Sequence, residues 1–381
     1  MTVHPAAMDA VSTIDRIEPT EDELHVWFTG ADRPLALPWF WIRDHSRDPS
    51  AYDPHTGQRA VDSFAIDHGL RPAAVDRTDG AIRVRWPDDT PPSVLPDDLV
   101  AALHPAASDP LAPPPIATPW HSADEVSVTR VPYAEIADGA GVDALLDDLA
   151  RFGFGLVSGA RADEAGTTAL ADAIGYVRRS IYGDVWPLSS ELTDHADTAY
   201  GQSYLEPHTD GTYCHDGPGL QLFVCAERTG TGGESILVDG FAVAETLRRT
   251  DPEAYELLTT VSVPAHYREP GVDLRASRPT IRLEGDAVVQ VSFNNYDRSP
   301  FVLAPDRLRA WYRAYGAFHR LITDRTTWWL GRLEPGDALI FDNWRCLHGR
   351  MGYTGRRRFY GCYLNHEDLE SRLRVRSAAT P

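Results

Sequence analysis

The sequence predicts a mainly β protein with flanking helices. The second half of the 381-residue chain contains repeated strand-like runs: "GLQLFVCA", "ESILVDG", "AVVQVSFNN", "DALIFDN" and "RRFYGCYLN". Apolar residues three and four apart predict helices in four other stretches: "GVDALLDDLARFG", "EAGTTALADAIGYVRRS", "GFAVAETLRRTDPEAYELLTT" and "DRLRAWYRAYGAFHRLIT". Because strands and helices do not alternate regularly, a closed or double-sheet β architecture is favoured over a doubly wound fold.

The N-terminal part, residues 1–104, is predicted to form a small β-rich domain. Its β-prone runs are "ELHVWFT", "ALPWFWIRD" and "AIRVRWP", which Gly, Pro and Asp turns separate. Residues 105–120 are rich in proline and alanine, which is typical of a stiff, extended linker. The larger domain is therefore predicted to span residues 121–381.

Composition excludes several classes of partner. The formal net charge is -20, and every basic residue other than histidine is an arginine, so we expect no nonspecific binding to nucleic acid. No apolar run approaches the length of a membrane span, so no membrane partner is predicted. The 4 cysteines match no zinc knuckle or disulfide framework, which favours reduced thiols in a cytoplasmic protein.

The stretch "YLEPHTDGTY" contains a candidate metal-binding pair, His208 and Asp210. In an extended strand, residues two apart point to the same face, so both side chains could bind one ion. Taken alone, such a pair is more typical of a polar loop or a core histidine. His348 in "DNWRCLHGR" offers a third ligand, and two histidines with one carboxylate are the ligand set of non-haem Fe(II) oxygenases.

Two further residues fit an anion beside such a metal. Arg357 begins the strand-like run "RRFYGCY", where its guanidinium could hold a carboxylate through two hydrogen bonds. Ser235 in "TGTGGESILVDG" supplies a hydroxyl for the same anion. The alternative is that the three arginines from 356 to 358 form a solvated basic patch, although strand alternation turns Arg357 away from its neighbours.

Taken together, the His-Thr-Asp, Gly-Gly-x-Ser, "DNWRCLHGR" and Arg-before-"GCY" motifs resemble the 2-oxoglutarate- and Fe(II)-dependent oxygenases of the taurine dioxygenase superfamily. More narrowly, the chain is similar to the γ-butyrobetaine and trimethyllysine hydroxylases. The resemblance covers nearly the whole chain, including "WIRDHSRDPSAYDPHTGQR" and "RWPDD" near the N-terminus. It implies that the larger domain is a double-stranded β-helix, or jelly roll.

The resemblance also implies roles for the candidate residues. His208, Asp210 and His348 would bind Fe(II), while Arg357 and Ser235 would bind the distal carboxylate of 2-oxoglutarate. O2 would take the remaining metal position. The implied reaction converts 2-oxoglutarate to succinate and CO2 while it hydroxylates the substrate.

Members of this family hold a quaternary ammonium in an aromatic cage. The matching positions here are all aromatic: Tyr182, Trp186, Tyr200 and Tyr363. A trimethylammonium group cannot donate a hydrogen bond, so the faces of aromatic rings are its natural partners. The alternative for each ring is ordinary packing in the core.

The other end of the substrate would separate the two hydroxylases. The chain has Asp197 where the butyrobetaine enzymes carry Asn, and a carboxylate suits the α-ammonium of trimethyllysine. Asn294, Asn295 and Arg298 in "FNNYDR" are candidate contacts for its carboxylate. The resemblance therefore favours hydroxylation of Nε-trimethyllysine at C3, as in carnitine biosynthesis. The alternatives are γ-butyrobetaine, another trimethylammonium or specialised-metabolism substrate, and a non-catalytic jelly-roll binding protein.

One departure from the family concerns the N-terminal domain. Where the family has zinc-binding cysteines and a histidine, this chain has Ser46, Ala51 and, at about that position, Thr90. His45 alone cannot complete a tetrahedral site, so no structural zinc is expected. In the family this domain supports dimerisation, which makes a homodimer possible here.

Overall fold

The computed structural model describes residues 13–104, 117–189 and 201–379. The chain divides into two compact units between Ala112 and Pro113. This boundary falls within the segment predicted as a linker, most of which lies outside the described residues. No helix in the described ranges is both long enough and apolar enough to cross a membrane.

The first unit consists of short antiparallel strands with two short helices. Its strands are β1 (Ile14–Pro19), β2 (Glu23–Phe28), β3 (Leu35–Pro38), β4 (Tyr52–Asp53), β5 (Gln58–Arg59), β6 (Ala74–Thr78), β7 (Ala81–Arg85) and β8 (Ser93–Pro96), and its helices are α1 (Trp39–Asp44) and α2 (Asp97–Ala101). β1-β2-β3 and β6-β7-β8 form two sheets, and β4 pairs with β5. Residues of both larger sheets, among them Val26 and Ile82, form one buried core.

The predicted strand "ALPWFWIRD" is only partly a strand. β3 ends at Pro38, and the following residues form α1. The buried residues of α1 are Trp39 and Ile42, which are three positions apart and therefore lie on one face of a helix. The aromatic residues suggested a strand, but the burial pattern follows the helical period.

Hydrogen bonds occupy the corner where the resemblance would place zinc ligands. Ser46 is buried, and its hydroxyl oxygen accepts hydrogen bonds from the backbone N–H groups of Asp48 and Val94 at 3.1 and 3.0 Å. His45 stacks on Trp41 with ring centroids 4.0 Å apart. Ser46 thus fastens this corner to β8 by backbone hydrogen bonds. The absence of a structural zinc stays a prediction.

The second unit contains two sheets and most of the helices. Its strands are β9 (Arg130–Pro132), β10 (Phe154–Ser158), β11 (Val177–Arg178), β12 (Trp186–Ser189), β13 (Leu205–His208), β14 (Leu220–Arg228), β15 (Ser235–Asp239), β16 (Ser262–Glu269), β17 (Val272–Pro279), β18 (Ile281–Glu284), β19 (Ala287–Val291), β20 (Trp329–Gly331), β21 (Ala338–Asp342), β22 (Cys346–Arg350) and β23 (Arg357–Leu364). Its helices are α3 (Tyr133–Ala137), α4 (Val142–Phe152), α5 (Glu164–Asp172), α6 (Gly240–Thr250), α7 (Pro252–Thr260), α8 (Pro305–Ile322) and α9 (His366–Ala379).

The two sheets pack face to face. The larger has the order β11-β23-β14-β21-β10-β9, with β12 also paired to β23, and the smaller has the order β13-β22-β15-β20. Leu237 of the smaller sheet lies in one buried cluster with Leu339, Phe341 and Phe359 of the larger sheet. Two packed, largely antiparallel sheets are the arrangement of a jelly roll. The prediction of a mainly β protein with flanking helices is confirmed.

The helices cover the outer faces of the sheets. α4 and α5 pack on the larger sheet, where Leu145 and Leu170 join a buried cluster with Leu222 and Ile340. α6, α7 and α8 form a second cluster against the smaller sheet. One predicted helix, "GFAVAETLRRTDPEAYELLTT", is in fact two, because Asp251 caps a new helix through the Ala254 N–H and Pro252 occupies its first turn.

Candidate active site

The main cavity lies between the two sheets and has a volume of about 220 Å³. Strands of both sheets contribute to its walls, so its shape is set by the jelly roll itself. The predicted residues that line it are His208, Asp210, His348, Arg357, Ser235, Tyr182, Trp186, Tyr363 and Asn294.

His208, Asp210 and His348, hereafter the metal triad, meet at one end of this cavity. One ligand atom from each lies within 4.8 Å of the others. The Nε2 atom of His208 is 3.3 Å from Asp210 Oδ1, and the Nε2 atom of His348 is 3.7 Å from Asp210 Oδ2. Imidazole nitrogens and a carboxylate at this spacing fit one transition-metal ion, and they are the donor set of non-haem iron sites.

A strand irregularity brings the two histidines together. His208 and His348 are opposite each other in the antiparallel pair β13–β22, after a register shift that follows Leu205. Pro207, which has no N–H to donate, lies in the shifted segment. On β22, a Cβ at Gly349 would lie only 2.6 Å from the Leu205 carbonyl oxygen, so this position requires glycine.

Hydrogen bonds orient the His208 ring and the backbone of Asp210. His208 Nδ1 lies 2.8 Å from the Glu206 carbonyl oxygen, and a proton on Nδ1 leaves Nε2 for a metal. Asn343 holds the Asp210 backbone twice. Its Oδ1 accepts from the Asp210 N–H at 2.8 Å, and its Nδ2 donates to the Asp210 carbonyl oxygen at 3.1 Å.

The carboxylate of Asp210 is also fixed from two sides. Gln221 Nε2 and the Tyr363 hydroxyl both donate to Asp210 Oδ2, at 2.9 and 2.8 Å. These donors leave Oδ1 directed toward His208. Partners behind a ligand set its orientation and raise metal affinity.

Electrostatics favours the metal-binding protonation states of Asp210 and His348. Burial alone would raise the pKa of Asp210, but charge interactions with the two histidines and the Tyr363 hydrogen bond outweigh it, and the net pKa is lowered. Burial lowers the pKa of His348 to about 3. A carboxylate and a neutral imidazole are the forms that bind a metal without first losing protons.

Arg357 is a buried cation that faces the same cavity. Burial, reinforced by the like charge of Arg350, lowers its pKa to about 9. Its Nε is buried without a hydrogen-bond partner, and its guanidinium lies 4.0 Å over the Phe359 ring. In the described part of the chain no carboxylate forms an ion pair with it. A buried guanidinium of this kind suits a ligand carboxylate, and the buried Ser235 lines the cavity with it.

Aromatic rings line another side of the cavity. The ring centroids of Tyr182 and Trp186 are 5.6 Å apart, and those of Trp186 and Tyr363 are 4.6 Å apart. Two rings that were not predicted extend this surface: Tyr267, which is 6.5 Å from Tyr182, and Tyr213, which is 5.0 Å from Tyr267. We call these five residues the aromatic wall.

The predicted residues outside this arrangement are few. Asp197 and Tyr200 lie outside the described residues. Asn295 and Arg298 do not line the cavity. The Arg298 guanidinium donates to Asn295 Oδ1 and to the Tyr312 hydroxyl, both at 3.2 Å. The arrangement therefore does not support the expected contact of Asn295 and Arg298 with a substrate carboxylate, because the two side chains bind each other and α8.

The cavity also contains residues that sequence reasoning missed. Asp297, only one position from Arg298, lines the cavity and accepts hydrogen bonds from Asn294 Nδ2 at 2.8 Å and Thr212 Oγ1 at 3.2 Å. Tyr213 follows directly on the "HTDGT" motif, which was a usable signal. Tyr267 lies on β16, whose pairing with β17 was not predicted, and no local motif marks it.

Two histidines and an aspartate that share a cavity with an arginine guanidinium are the arrangement of an iron- and 2-oxoglutarate-dependent dioxygenase. Comparison with known proteins agrees, because residues 109–363 match the profile of the "Taurine catabolism dioxygenase TauD, TfdA family". The chain belongs to this family.

Similar proteins include trimethyllysine dioxygenases and a γ-butyrobetaine dioxygenase. The chain is 31% identical to the mitochondrial trimethyllysine dioxygenase of Gallus gallus over 92% of this chain and 86% of the relative. It is 32% identical to the trimethyllysine dioxygenase of Meyerozyma guilliermondii over 88% and 89% of the two chains. The γ-butyrobetaine dioxygenase of Homo sapiens is 31% identical over 60% of this chain and 62% of the relative.

Proposed function

We propose that the protein hydroxylates Nε-trimethyllysine at C3 and converts 2-oxoglutarate and O2 to succinate and CO2. The observation that carries this proposal is the position of the aromatic wall next to the metal triad. The wall would offer ring faces to a quaternary ammonium in the same cavity as the metal. The names of the relatives support the same substrate.

The metal triad would hold Fe(II) through His208 Nε2, His348 Nε2 and an Asp210 oxygen. When bound, the iron supplies the oxygen chemistry that couples 2-oxoglutarate oxidation to hydroxylation. The chain itself holds the Asp210 ligand through Tyr363, Gln221 and Asn343, and the pKa values of Asp210 and His348 are both lowered. Preorganised ligands of this kind need little rearrangement before metal binds.

Arg357 and Ser235 would bind the distal carboxylate of 2-oxoglutarate. The Arg357 guanidinium would gain the counter-ion that it lacks, and the Ser235 hydroxyl would add a hydrogen bond. The buried position of Arg357 strengthens such an ion pair, because little water competes for it. This contact would fix one end of the co-substrate while its other end reaches the metal.

The aromatic wall would orient the substrate by its trimethylammonium group. Tyr182, Trp186 and Tyr363 come from the positions that match the family's cage, and Tyr200 belongs to the same proposal. For the α-ammonium of trimethyllysine, Asp197 remains our sequence-based candidate. Asp297 is a second candidate, because its carboxylate lines the cavity beside Asn294.

γ-Butyrobetaine is the second candidate substrate, since one relative carries that name. It has a carboxylate but no α-ammonium, so an acidic partner should repel it. Asp197→Asn and Asp297→Asn are made separately. We expect the variant that removes the ammonium-binding carboxylate to lower turnover of trimethyllysine relative to γ-butyrobetaine. Unchanged selectivity in both variants would count against trimethyllysine as the substrate.

The direct test is a mass-spectrometric screen of purified enzyme with Fe(II), 2-oxoglutarate and single quaternary amines. We expect trimethyllysine to gain one oxygen atom with an equal amount of succinate. Lysine, which has the same backbone without the methyl groups, is the matched control. Succinate formed equally with and without trimethyllysine would exclude it as the substrate.

We also infer a cytoplasmic homodimer whose N-terminal domain, residues 1–104, folds without zinc. Folding without zinc is supported by Ser46, which stands in place of a cysteine and binds two backbone N–H groups. Light scattering of the purified protein would test the dimer, and elemental analysis of the same sample would test for zinc.

A further inference from the structure

A second, smaller cavity lies apart from the metal triad, between the β17–β19 region and the segment that follows the "HTDGTY" motif. Its volume is about 120 Å³. Two arginines line it, Arg278 of β17 and Arg282 of β18, together with His215, Gln290 and Trp344. Neither the proposed reaction nor its co-substrate uses these residues.

Arg278 is a partly buried cation with unused hydrogen-bonding capacity. Its Nη2 is buried and has no hydrogen-bond partner. Burial lowers its pKa, and the neighbouring charge of Arg282 adds to this effect. Within the described ranges no carboxylate lies close enough to form an ion pair with it. A guanidinium in this position is stabilised by any anion that enters the cavity.

Arg282 also has a buried hydrogen-bond donor without a partner. Its Nε is buried without a partner, and the nearest carboxylate oxygen, on the exposed Glu284, is 3.6 Å from Nη2. The guanidinium lies 4.7 Å over the ring of Trp344. This cation–π contact holds the guanidinium against Trp344 at the cavity that both side chains line.

The one carboxylate in the lining, that of Asp216, interacts electrostatically with Arg278 but forms its ion pair with another arginine. Asp216 forms an ion pair with Arg178, with 2.7 Å between Arg178 Nη1 and Asp216 Oδ2. The cavity therefore keeps an excess of positive charge in a chain whose net charge is -20.

We propose that this cavity is a binding site for a small oxyanion of the phosphate type. Arg278 and Arg282 would each donate to it, and the cavity has room for an inorganic anion but not for a nucleotide. Two guanidinium groups around one oxyanion give charge-assisted hydrogen bonds that a monovalent chloride cannot match. The site is independent of the proposed function, because none of its residues lines the main cavity.

Titration calorimetry with inorganic phosphate at constant ionic strength tests this site. The experiment is done in an Arg357→Gln background, so that phosphate cannot occupy the active-site guanidinium. We expect one saturable site in that background, and at least tenfold weaker binding after Arg278→Gln. Arg275→Gln is the matched control. It removes the same charge from the same strand, but its side chain is 68% exposed and already paired with Asp273.

The titration can contradict the phosphate site in several ways. Absence of saturable phosphate binding, or equal weakening by Arg275→Gln and Arg278→Gln, would overturn the proposal. If circular dichroism shows that the Arg278→Gln variant does not fold, Arg282→Gln takes its place with the same expectation. Acetate serves as a second probe. Binding of acetate as tight as that of phosphate would assign the site to carboxylates and overturn the phosphate assignment.

Discussion

The hydroxyl of Tyr363 donates a hydrogen bond to Asp210 Oδ2 at 2.8 Å, which joins the aromatic wall directly to the metal triad. The same ring packs 4.6 Å from Trp186. We therefore propose two functions for this one side chain, as a surface for the substrate and as a support for a metal ligand. Its two contributions can be separated experimentally.

Tyr363→Phe keeps the ring and removes the hydroxyl. We expect Fe(II) affinity to fall by about 10-fold or more, because partners behind metal ligands typically contribute that much. The KM for substrate at saturating iron should change little. Anaerobic Fe(II) titration gives the affinity, and Tyr360→Phe on the same strand is the control. Equal iron affinity in both variants would show that the hydroxyl does not support the metal.

Arg357→Gln removes the buried guanidinium from the main cavity. The KM for 2-oxoglutarate should rise by about 10- to 100-fold, as expected for the loss of charge-assisted hydrogen bonds to a carboxylate. Arg358→Gln, an exposed neighbour on β23, should leave that KM unchanged. Succinate production measured against 2-oxoglutarate concentration checks both. A similar KM in the two variants would place the co-substrate carboxylate elsewhere.

Tyr182→Leu removes one face of the aromatic wall but keeps apolar volume. We expect the KM for trimethyllysine to rise by about 2- to 30-fold, which corresponds to a cation–π contribution of about 0.5–2 kcal/mol. The KM for 2-oxoglutarate should be unchanged. Tyr176→Leu is the control, since that ring is 77% exposed and does not line the cavity. A matching rise in both variants would argue against a cage.

His366 predicts how stability depends on pH. Asp342 and Glu370 raise its pKa to about 10 against the opposing effect of burial, so the folded protein binds a proton that the unfolded chain releases near pH 6.5. The stabilisation is complete below pH 6.5 and is lost as pH rises toward 10. Between pH 6 and pH 10 we expect the wild type to lose about 1–3 kcal/mol more unfolding free energy than His366→Gln. Urea unfolding at several pH values measures this, and parallel curves would contradict it.

The metal triad could be predicted from short motifs in the sequence, and His348 follows closely on the strand-like run "DALIFDN". His208 and Asp210 share a short motif, and "RRFYGCY" places Arg357 at the start of a strand. Strand alternation then decides which side chains face inward. Local pattern and site geometry agree at these positions.

Other parts depended on contacts that no local pattern reveals. Tyr267 reaches the cavity only because β16 pairs with β17 and the hairpin packs beside Tyr213. Arg298 and Asp297 are adjacent in sequence, yet the carboxylate lines the cavity and the guanidinium binds Tyr312. Which of two neighbouring polar residues faces a cavity is decided by the backbone path of an irregular segment, which propensities do not specify.

The opposition of His208 and His348 across β13 and β22 makes metal retention a measure of correct folding. A slip of one residue between these strands would turn one imidazole to the far side of the sheet, and a single remaining histidine would hold iron poorly. Molecules that refold with these two strands out of register should therefore be free of metal. The metal-to-protein ratio of a refolded sample then counts the fraction whose strands are correctly aligned.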